Sequence, residues 1–175
     1  MKLSATPVPE ATNLNRSQAI LVYDEAKGEL RIEGQRYAAI QVEAMCKHLD
    51  TLVGTRLAET IMNNHQRRQG IENAERIREL DPSAKTEQML RVLAEDDRAA
   101  GFGIPKITIT ESAEQPAKLE IYNPVITATE GAGKVFMVSY WSGALSVLLG
   151  REVDAANTAY DPTKNTLSCS FLKRH

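Results

Sequence analysis

The sequence is poor in cysteine and histidine and has no large excess of charge of either sign. Its 175 residues include two cysteines, Cys46 and Cys169, and three histidines, and the formal net charge is -2. Two cysteines are too few for the disulfide framework of a small secreted protein, and they lack the CxxC spacing of a zinc ribbon. The near balance of charge argues against the broad basic surface of nucleic-acid-binding domains. We therefore expect reduced thiols and no nucleic-acid partner.

Long hydrophobic runs are also lacking. No run of consecutive apolar residues approaches the roughly 20 that span a bilayer, and the N-terminus has no apolar core of signal-peptide length. The sequence therefore predicts no transmembrane segment and a cytoplasmic location. Residues 1–17 are rich in Pro, Ser, Thr and Asn, so we expect a flexible arm there and a single domain over residues 18–175.

Motifs for nucleotide cofactors, metals and nucleophilic catalysis are incomplete. The stretch EGAGKVF at 130–136 has Ala128 where a phosphate loop needs glycine and Val135 where it needs Ser or Thr, which favours a plain turn. GFG before Ile104 lacks the third glycine of a dinucleotide fingerprint. The histidines have no helical spacing to another His or Cys, and no serine lies in a GxSxG elbow. The sequence thus predicts no metal site and gives no local support for catalysis.

Hydrophobic periodicity predicts an N-terminal hairpin followed by helices. Strands are expected near 19–24 and 29–33, and helices over 40–61, 71–80 and 85–99. Gly54 lies inside the longest helical pattern and predicts either a kink, which could split the helix in two, or a close backbone approach there. The basic cluster HQRRQG at 65–70 is interpreted as a solvated helix face near a C-terminus, and Cys46 as a buried structural thiol.

The second half of the chain returns to strand patterns around one further helix. Residues 106–110 alternate in polarity, as do those around Leu119 and Ile121, and the tail offers two strands about an Asp-Pro-Thr-Lys-Asn turn. Residues 134–141 could be extended, but SGALSVLLG predicts a helix that Gly150 caps. Strands and helices in separate groups predict an α+β fold, an antiparallel sheet with helices packed on one side.

The helix around residue 141 is a candidate ligand site. Met137, Tyr140 and Trp141 supply apolar surfaces with polar handles, and the small residues around Gly143 leave room for a ligand to approach the backbone. The same small residues could instead let the helix pack tightly on the sheet. The residues alone leave both alternatives open.

Several short motifs together resemble the 4-vinyl reductase domain family of predicted hydrocarbon-binding proteins. They are GELRIEGQRY, LVGTRLAE, GFG, IYNPV, SGALSVLLG and a closing strand with CSF, spread over residues 19–173. The resemblance implies an α+β ligand-binding fold shared with subunits of the TRAPP trafficking complex and with haem-based nitric oxide sensors, commonly dimeric. It also implies a pocket for an apolar or aromatic molecule, such as a tetrapyrrole, with Cys169 close to it.

In that family, cysteines near the C-terminus often bind metal. Here Cys169 in CSF resembles the last of them, while AYDPT supplies no thiol, and only Asp161 and His175 are nearby in sequence. A single thiolate cannot complete a tetrahedral zinc site, so the departure puts zinc in doubt. The family name suggests reduction of a vinyl group, but the chain has no hydride-cofactor motif.

We therefore expect a non-catalytic, dimeric protein that binds an apolar small molecule, with Met137, Tyr140, Trp141, Gly143 and Cys169 at the site. The alternatives are an assembly factor that acts through protein contacts, for example in pigment-protein assembly, and a component of a tetrapyrrole vinyl reductase.

Overall fold

The computed structural model describes residues 21–24, 29–32, 35–37 and 41–174. The predicted arm over residues 1–17 lies outside them. The elements within these ranges are β1 (Leu21–Asp24), β2 (Glu29–Ile32), β3 (Gln35–Tyr37), α1 (Val42–Val53), α2 (Thr55–Leu80), α3 (Thr86–Ala99), β4 (Ile104–Ile109), β5 (Ala117–Tyr122), α4 (Gly131–Leu149), β6 (Val153–Asp161) and β7 (Thr166–Lys173). The strands form two antiparallel sheets, ordered β1-β2-β3 and β4-β5-β7-β6. The predicted α+β class is confirmed.

The four-stranded sheet buries one face, as the alternating pattern predicts. Leu119 and Ile121 on β5 pair with Cys169 and Leu167 on β7, and all four side chains are buried. Because alternate residues of a strand point to opposite faces, these side chains share the face that meets the helices. This arrangement makes Cys169 part of the core.

Gly54 separates the first two helices, as the sequence predicts. It has a φ of +81°, in the left-handed region that glycine tolerates, so α1 ends at Val53 and α2 begins at Thr55. The prediction of a separate short helix over 71–80 is wrong, because α2 runs on for 26 residues to Leu80. The helical period is unbroken across Gly70.

Helices α2 and α4 run in the same direction and touch backbone to backbone. A Cβ atom on Gly70 would lie 1.9 Å from the Tyr140 carbonyl oxygen, and one on Gly143 would lie 2.0 Å from the Arg67 carbonyl oxygen. Only glycine permits that approach at either position. Gly70 therefore persists inside a long helix because the partner helix occupies the space of its side chain.

Helix α4 starts earlier than the sequence suggests. The turn predicted for 130–136 is wrong, since α4 begins at Gly131. Asp50 and Glu59 accept hydrogen bonds of 2.9 Å from the backbone N–H groups of Ala132 and Gly131. Carboxylates of α1 and α2 thus occupy the helix N-terminus, where a phosphate would otherwise be favoured.

Helix α4 is the apolar centre of the fold. This helix of 19 residues is long enough and apolar enough to cross a bilayer. Sequence patterns alone do not identify it as such, because polar residues interrupt its apolar runs. Most of the helix is buried inside the protein, which is typical of the core helix of a soluble domain. It ends at Gly150, in the left-handed conformation, as predicted.

Candidate ligand-binding site

The centre of the candidate site is a hydrogen bond between α3 and α4. Trp141 is fully buried, and its Nε1–H donates to Oδ2 of Asp97 at 2.9 Å. Asp97 is 5% exposed. Burial raises its pKa to about 7, against the lowering effect of the Trp141 hydrogen bond and with a further rise from the charge of Asp96. A carboxyl group that titrates near neutral pH thus lies in the core.

Tyr140, the residue before Trp141 on α4, lies beside this hydrogen-bonded pair. Its ring meets the Trp141 ring edge to face, with centroids 5.7 Å apart. Its hydroxyl group accepts a hydrogen bond of 3.3 Å from Nδ2 of Asn73 on α2. Burial raises the pKa of Tyr140 well above its usual range, and the Asp97 charge adds to the rise, so the phenol stays neutral.

An aromatic contact extends the apolar surroundings of the pair. Phe136, one turn before Tyr140 on α4, packs edge to face on Phe102, which follows α3, with centroids 5.8 Å apart. Met137 is buried on the same helix. One side of α4 therefore carries aromatic and thioether surfaces next to one titratable carboxyl group. Such surroundings can hold an apolar body and orient it by one polar contact.

The structure places the five predicted site residues in three surroundings. Met137, Tyr140 and Trp141 are buried neighbours on α4. Gly143 does serve close packing, but its neighbour is the α2 backbone and not the sheet that the packing alternative named. Cys169 lies in the sheet core, where burial raises the pKa of its thiol to about 12 and keeps it protonated.

Asp97 and Asn73 are the polar site residues that sequence reasoning missed. Asp97 follows Leu90 and Leu93 at helical spacing, and all three are buried on one side of α3. An acidic residue on an apolar helix face is the signal that could have found it. Asn73 has no comparable signal, because a polar residue between Glu72 and Ala74 is ordinary in an amphipathic helix.

Arg67 was predicted to lie on a solvated helix face, and this is wrong. Its side chain is 12% exposed and ties α2 to β6. It donates to the Val153 carbonyl oxygen at 2.8 Å and to Asp154 at 2.9 Å, and it forms an ion pair with Glu152. Arg68, which is exposed and paired with Glu72 on the same helix, does lie on a solvated face. The predicted position near a C-terminus is wrong, because the cluster lies in the middle of α2.

The serines of α4 also join the helix to β6. The hydroxyl group of Ser142 accepts a hydrogen bond from the Ala155 amide, and that of Ser146 accepts one from the Val153 amide, both at 3.1 Å. Each hydroxyl also donates to a carbonyl oxygen one turn earlier in α4. These contacts fix the orientation of α4, and hence of Trp141, relative to the sheet.

Metal-binding clusters are absent from the described ranges, where no three His, Cys, Asp or Glu side chains come together. His175, one of the two residues considered as partners of Cys169, lies outside those ranges. Cys46 is buried in α1, as predicted, and burial raises the pKa of its thiol to about 11.

The comparisons with known proteins identify a similar fold but no family. No protein-family model and no curated protein matches the chain. Among solved structures, the chain is similar to the phenol-responsive sensory domain of the transcription activator PoxR, in a crystal structure with phenol. The TM-score is 0.65 and the identity 13%, over 87% of this chain and 84% of that one. The chain therefore shares with that domain a fold of helices and an antiparallel sheet.

Proposed function

We propose that the chain is a non-catalytic small-molecule-binding domain of the 4-vinyl-reductase-like type. Its ligand is an apolar or aromatic molecule, a tetrapyrrole included, bound beside α4 in the cytoplasm. The Trp141–Asp97 hydrogen bond is the observation that carries the proposal, because a polar pair buried beside aromatic side chains gives an apolar site one feature that can orient a ligand. The fold of a phenol-responsive sensory domain supports the same role.

Binding energy would come mainly from the aromatic surfaces of α4. Burial of apolar ligand surface contributes roughly 25 cal/mol per Å², less the ordering of the ligand and side chains. The Trp141 indole and the Tyr140 hydroxyl group are fixed by their hydrogen bonds, so they orient a ligand without much loss of their own freedom. Met137 and Cys169 complete the proposed apolar surface, while Gly143 is assigned to helix packing.

The test is ligand binding by the full chain with and without the indole N–H. Native mass spectrometry of freshly purified protein would detect a co-purified molecule. Calorimetric titration with phenol, toluene and protoporphyrin IX would then measure the affinity of the unaltered chain and of its variants alike. We expect Trp141→Phe, which keeps an aromatic ring, to weaken binding by about tenfold. Tyr122→Phe removes a hydroxyl group from a half-exposed ring of β5 and is the matched control.

Two results would contradict the proposal. One is that no apolar molecule co-purifies and none of the three probes saturates the protein. The other is that Trp141→Phe binds as tightly as the unaltered chain while its thermal unfolding and circular dichroism show a native fold.

Exposed apolar residues favour a second role, in protein contacts. Leu52, Val53, Leu57 and Ile61 surround the bend at Gly54, and each is exposed. Large apolar side chains grouped at a surface are typical of protein interfaces. We propose that they mediate a homodimer, and an assembly factor would use the same residues for another protein.

Sedimentation equilibrium tests this second role. We expect Leu57→Glu to lower the association constant at least tenfold, since it places a charge in an apolar interface. Leu172→Glu, at an exposed position of β7, is the control and should leave association unchanged. A monomeric unaltered chain at high concentration would exclude the homodimer.

A further inference from the structure

Helix α1 is joined to α2 by a glycine with open space around it. Gly54 has a φ of +81° and a ψ of 148°, a backbone conformation that other residues rarely adopt. Apart from its chain neighbours, nothing lies within 4 Å of the place of a Gly54 Cβ atom. Leu52 and Leu57, on either side of the bend, are exposed. The bend therefore lies at the surface, where a change of φ and ψ at one residue can swing α1 against α2.

Few side chains hold α1 in place. Of its 12 residues Cys46 alone is buried, while Val42, Met45 and Leu49 are partly buried against the core. Among the four helices in the described ranges, α1 has the fewest buried residues. Segments with few buried apolar contacts open at a lower free energy than the whole fold. We therefore expect α1 to detach more easily than α2, α3 or α4.

The contacts of α1 with α4 lie at the first turn of α4. Asp50 accepts a hydrogen bond of 2.9 Å from the Ala132 amide, and the Cys46 Cβ atom lies 3.8 Å from the place of a Cβ atom on Gly133. Met137 follows Gly133 by one turn on the same side of α4. Helix α1 thus covers the start of the stripe of α4 that leads to Met137, one of the residues proposed to face the ligand.

From this arrangement we infer that α1 swings about Gly54 as a lid, and that an apolar ligand reaches the Met137 side of α4 while α1 is open. The inference rests on the proposed function and names the way into its site. Opening uncovers Cys46, whereas Cys169 stays buried in the four-stranded sheet. The lid sets how fast a ligand enters, because entry waits for the open state.

The two cysteines of the chain report on opening and unfolding separately. A thiol reagent at pH 8, read out by peptide mass spectrometry, gives the labelling rate of each cysteine relative to its rate in the urea-unfolded chain. We expect Cys46 to be labelled at least about tenfold faster than Cys169, since opening of one helix costs less than unfolding. Low concentrations of urea should speed Cys169 labelling steeply and Cys46 labelling weakly, because the slope follows the surface that becomes exposed.

A substitution outside the lid distinguishes the two processes. Arg67→Met removes the tie between α2 and β6, which is broken by unfolding but not by the opening of α1. It should therefore speed the labelling of Cys169 at least about tenfold and that of Cys46 less than about twofold.

A substitution at the contact between the lid and α4 should act on both processes. Asp50→Asn removes the charge that strengthens the hydrogen bond to the Ala132 amide, and opening and unfolding both break that bond. It should speed the labelling of both cysteines about tenfold. Glu43→Gln, at an exposed carboxylate of the same helix, is the matched control and should change both rates less than about twofold.

The rate of ligand entry tests the lid as a gate. Stopped-flow fluorescence of Trp141, the only tryptophan, follows the binding of toluene to the full chain. The binding rate follows the population of the open state, so Asp50→Asn should speed toluene binding about tenfold and Glu43→Gln less than about twofold.

The outcomes distinguish this inference from the proposed function. If Cys46 and Cys169 are labelled at equal relative rates with equal urea dependence, or if Asp50→Asn does not speed toluene binding, the lid is overturned while calorimetric binding of toluene keeps the proposed function. If toluene, phenol and protoporphyrin IX all fail to bind, both are overturned. Separate labelling of Cys46 together with faster toluene entry in Asp50→Asn supports both.

Discussion

Replacement of Asp97 by asparagine should change how stability depends on pH. The folded chain raises the pKa of this carboxyl group from 3.8 to about 7, mainly through burial. Below pH 4 the group is protonated in the folded and unfolded states alike, so it contributes no pH dependence. Between pH 4 and pH 7 the folded state holds a proton that the unfolded state releases. Stability therefore falls as the pH rises through this window and levels off above it.

The magnitude follows from the size of the shift. One pKa unit corresponds to about 1.36 kcal/mol, so ionisation of Asp97 destabilises the fold by about 4 kcal/mol at high pH. Much of that loss falls above pH 5, which leaves roughly 3 kcal/mol between pH 5 and pH 8. Asparagine has no ionisation to suppress. Compared with Asp97→Asn, the unaltered chain should lose about 3 kcal/mol of unfolding free energy from pH 5 to pH 8.

Urea denaturation, followed by circular dichroism, measures the unfolding free energy of the unaltered chain and of Asp97→Asn at pH 5 and at pH 8. The quantity of interest is how much the gap between the two proteins changes with pH. Any fixed effect of the amide on packing cancels, because it is the same at both pH values. Glu95→Gln removes an exposed carboxylate of the same helix and should follow the unaltered chain. The reasoning would be refuted if the stability difference between Asp97→Asn and the unaltered chain were equal at pH 5 and pH 8.

Three further predictions concern the packing around the site. Gly143→Ala should lower the unfolding free energy by at least about 3 kcal/mol, since its Cβ would overlap the Arg67 carbonyl oxygen; an unchanged urea midpoint would contradict it. Arg67→Met should cost about 2 kcal/mol in the same assay and the exposed Arg68→Met less than about 0.5 kcal/mol, so equal losses would contradict the burial argument. Cys169 should react with a thiol reagent at pH 8 only as the protein unfolds, because its thiol is buried with a pKa of about 12; rapid labelling of the native protein would exclude this.

The sequence predicts the element types well where one periodicity dominates. The alternation around Leu119 and Ile121 predicts a half-buried strand, and the structure confirms it. Gly54 predicts a helix break or a close backbone approach, and the structure shows the break, with nothing within 4 Å of the place of a Gly54 Cβ atom. The helix boundary proposed near Gly70 is wrong because the reason for that glycine lies in α4, far along the chain. Local pattern cannot reveal a contact with a distant backbone.

The candidate site was only partly predictable for the same reason. Trp141 and Tyr140 are conspicuous in an apolar helix, so the sequence indicates them as candidates, while it leaves open whether they bind a ligand or only pack. Asp97 lies in a charged stretch of the sequence, EDDR, where an ordinary surface helix is expected. Only the packing of α3 on α4 selects Asp97 from its acidic neighbours and buries it.

The pairing of α2 with α4 has a consequence for synthesis on the ribosome. Glu59 reaches Gly131, 72 residues later in the chain, so α2 leaves the ribosome well before its partner helix. At about 5–20 residues per second, α2 waits several seconds with its apolar stripe uncovered. During that interval Ala58, Met62 and Ala74 are accessible to chaperones, and a chain truncated before α4 would keep them exposed. Nascent chains that end before residue 131 should therefore bind ribosome-associated chaperones, and chains that include α4 should release them.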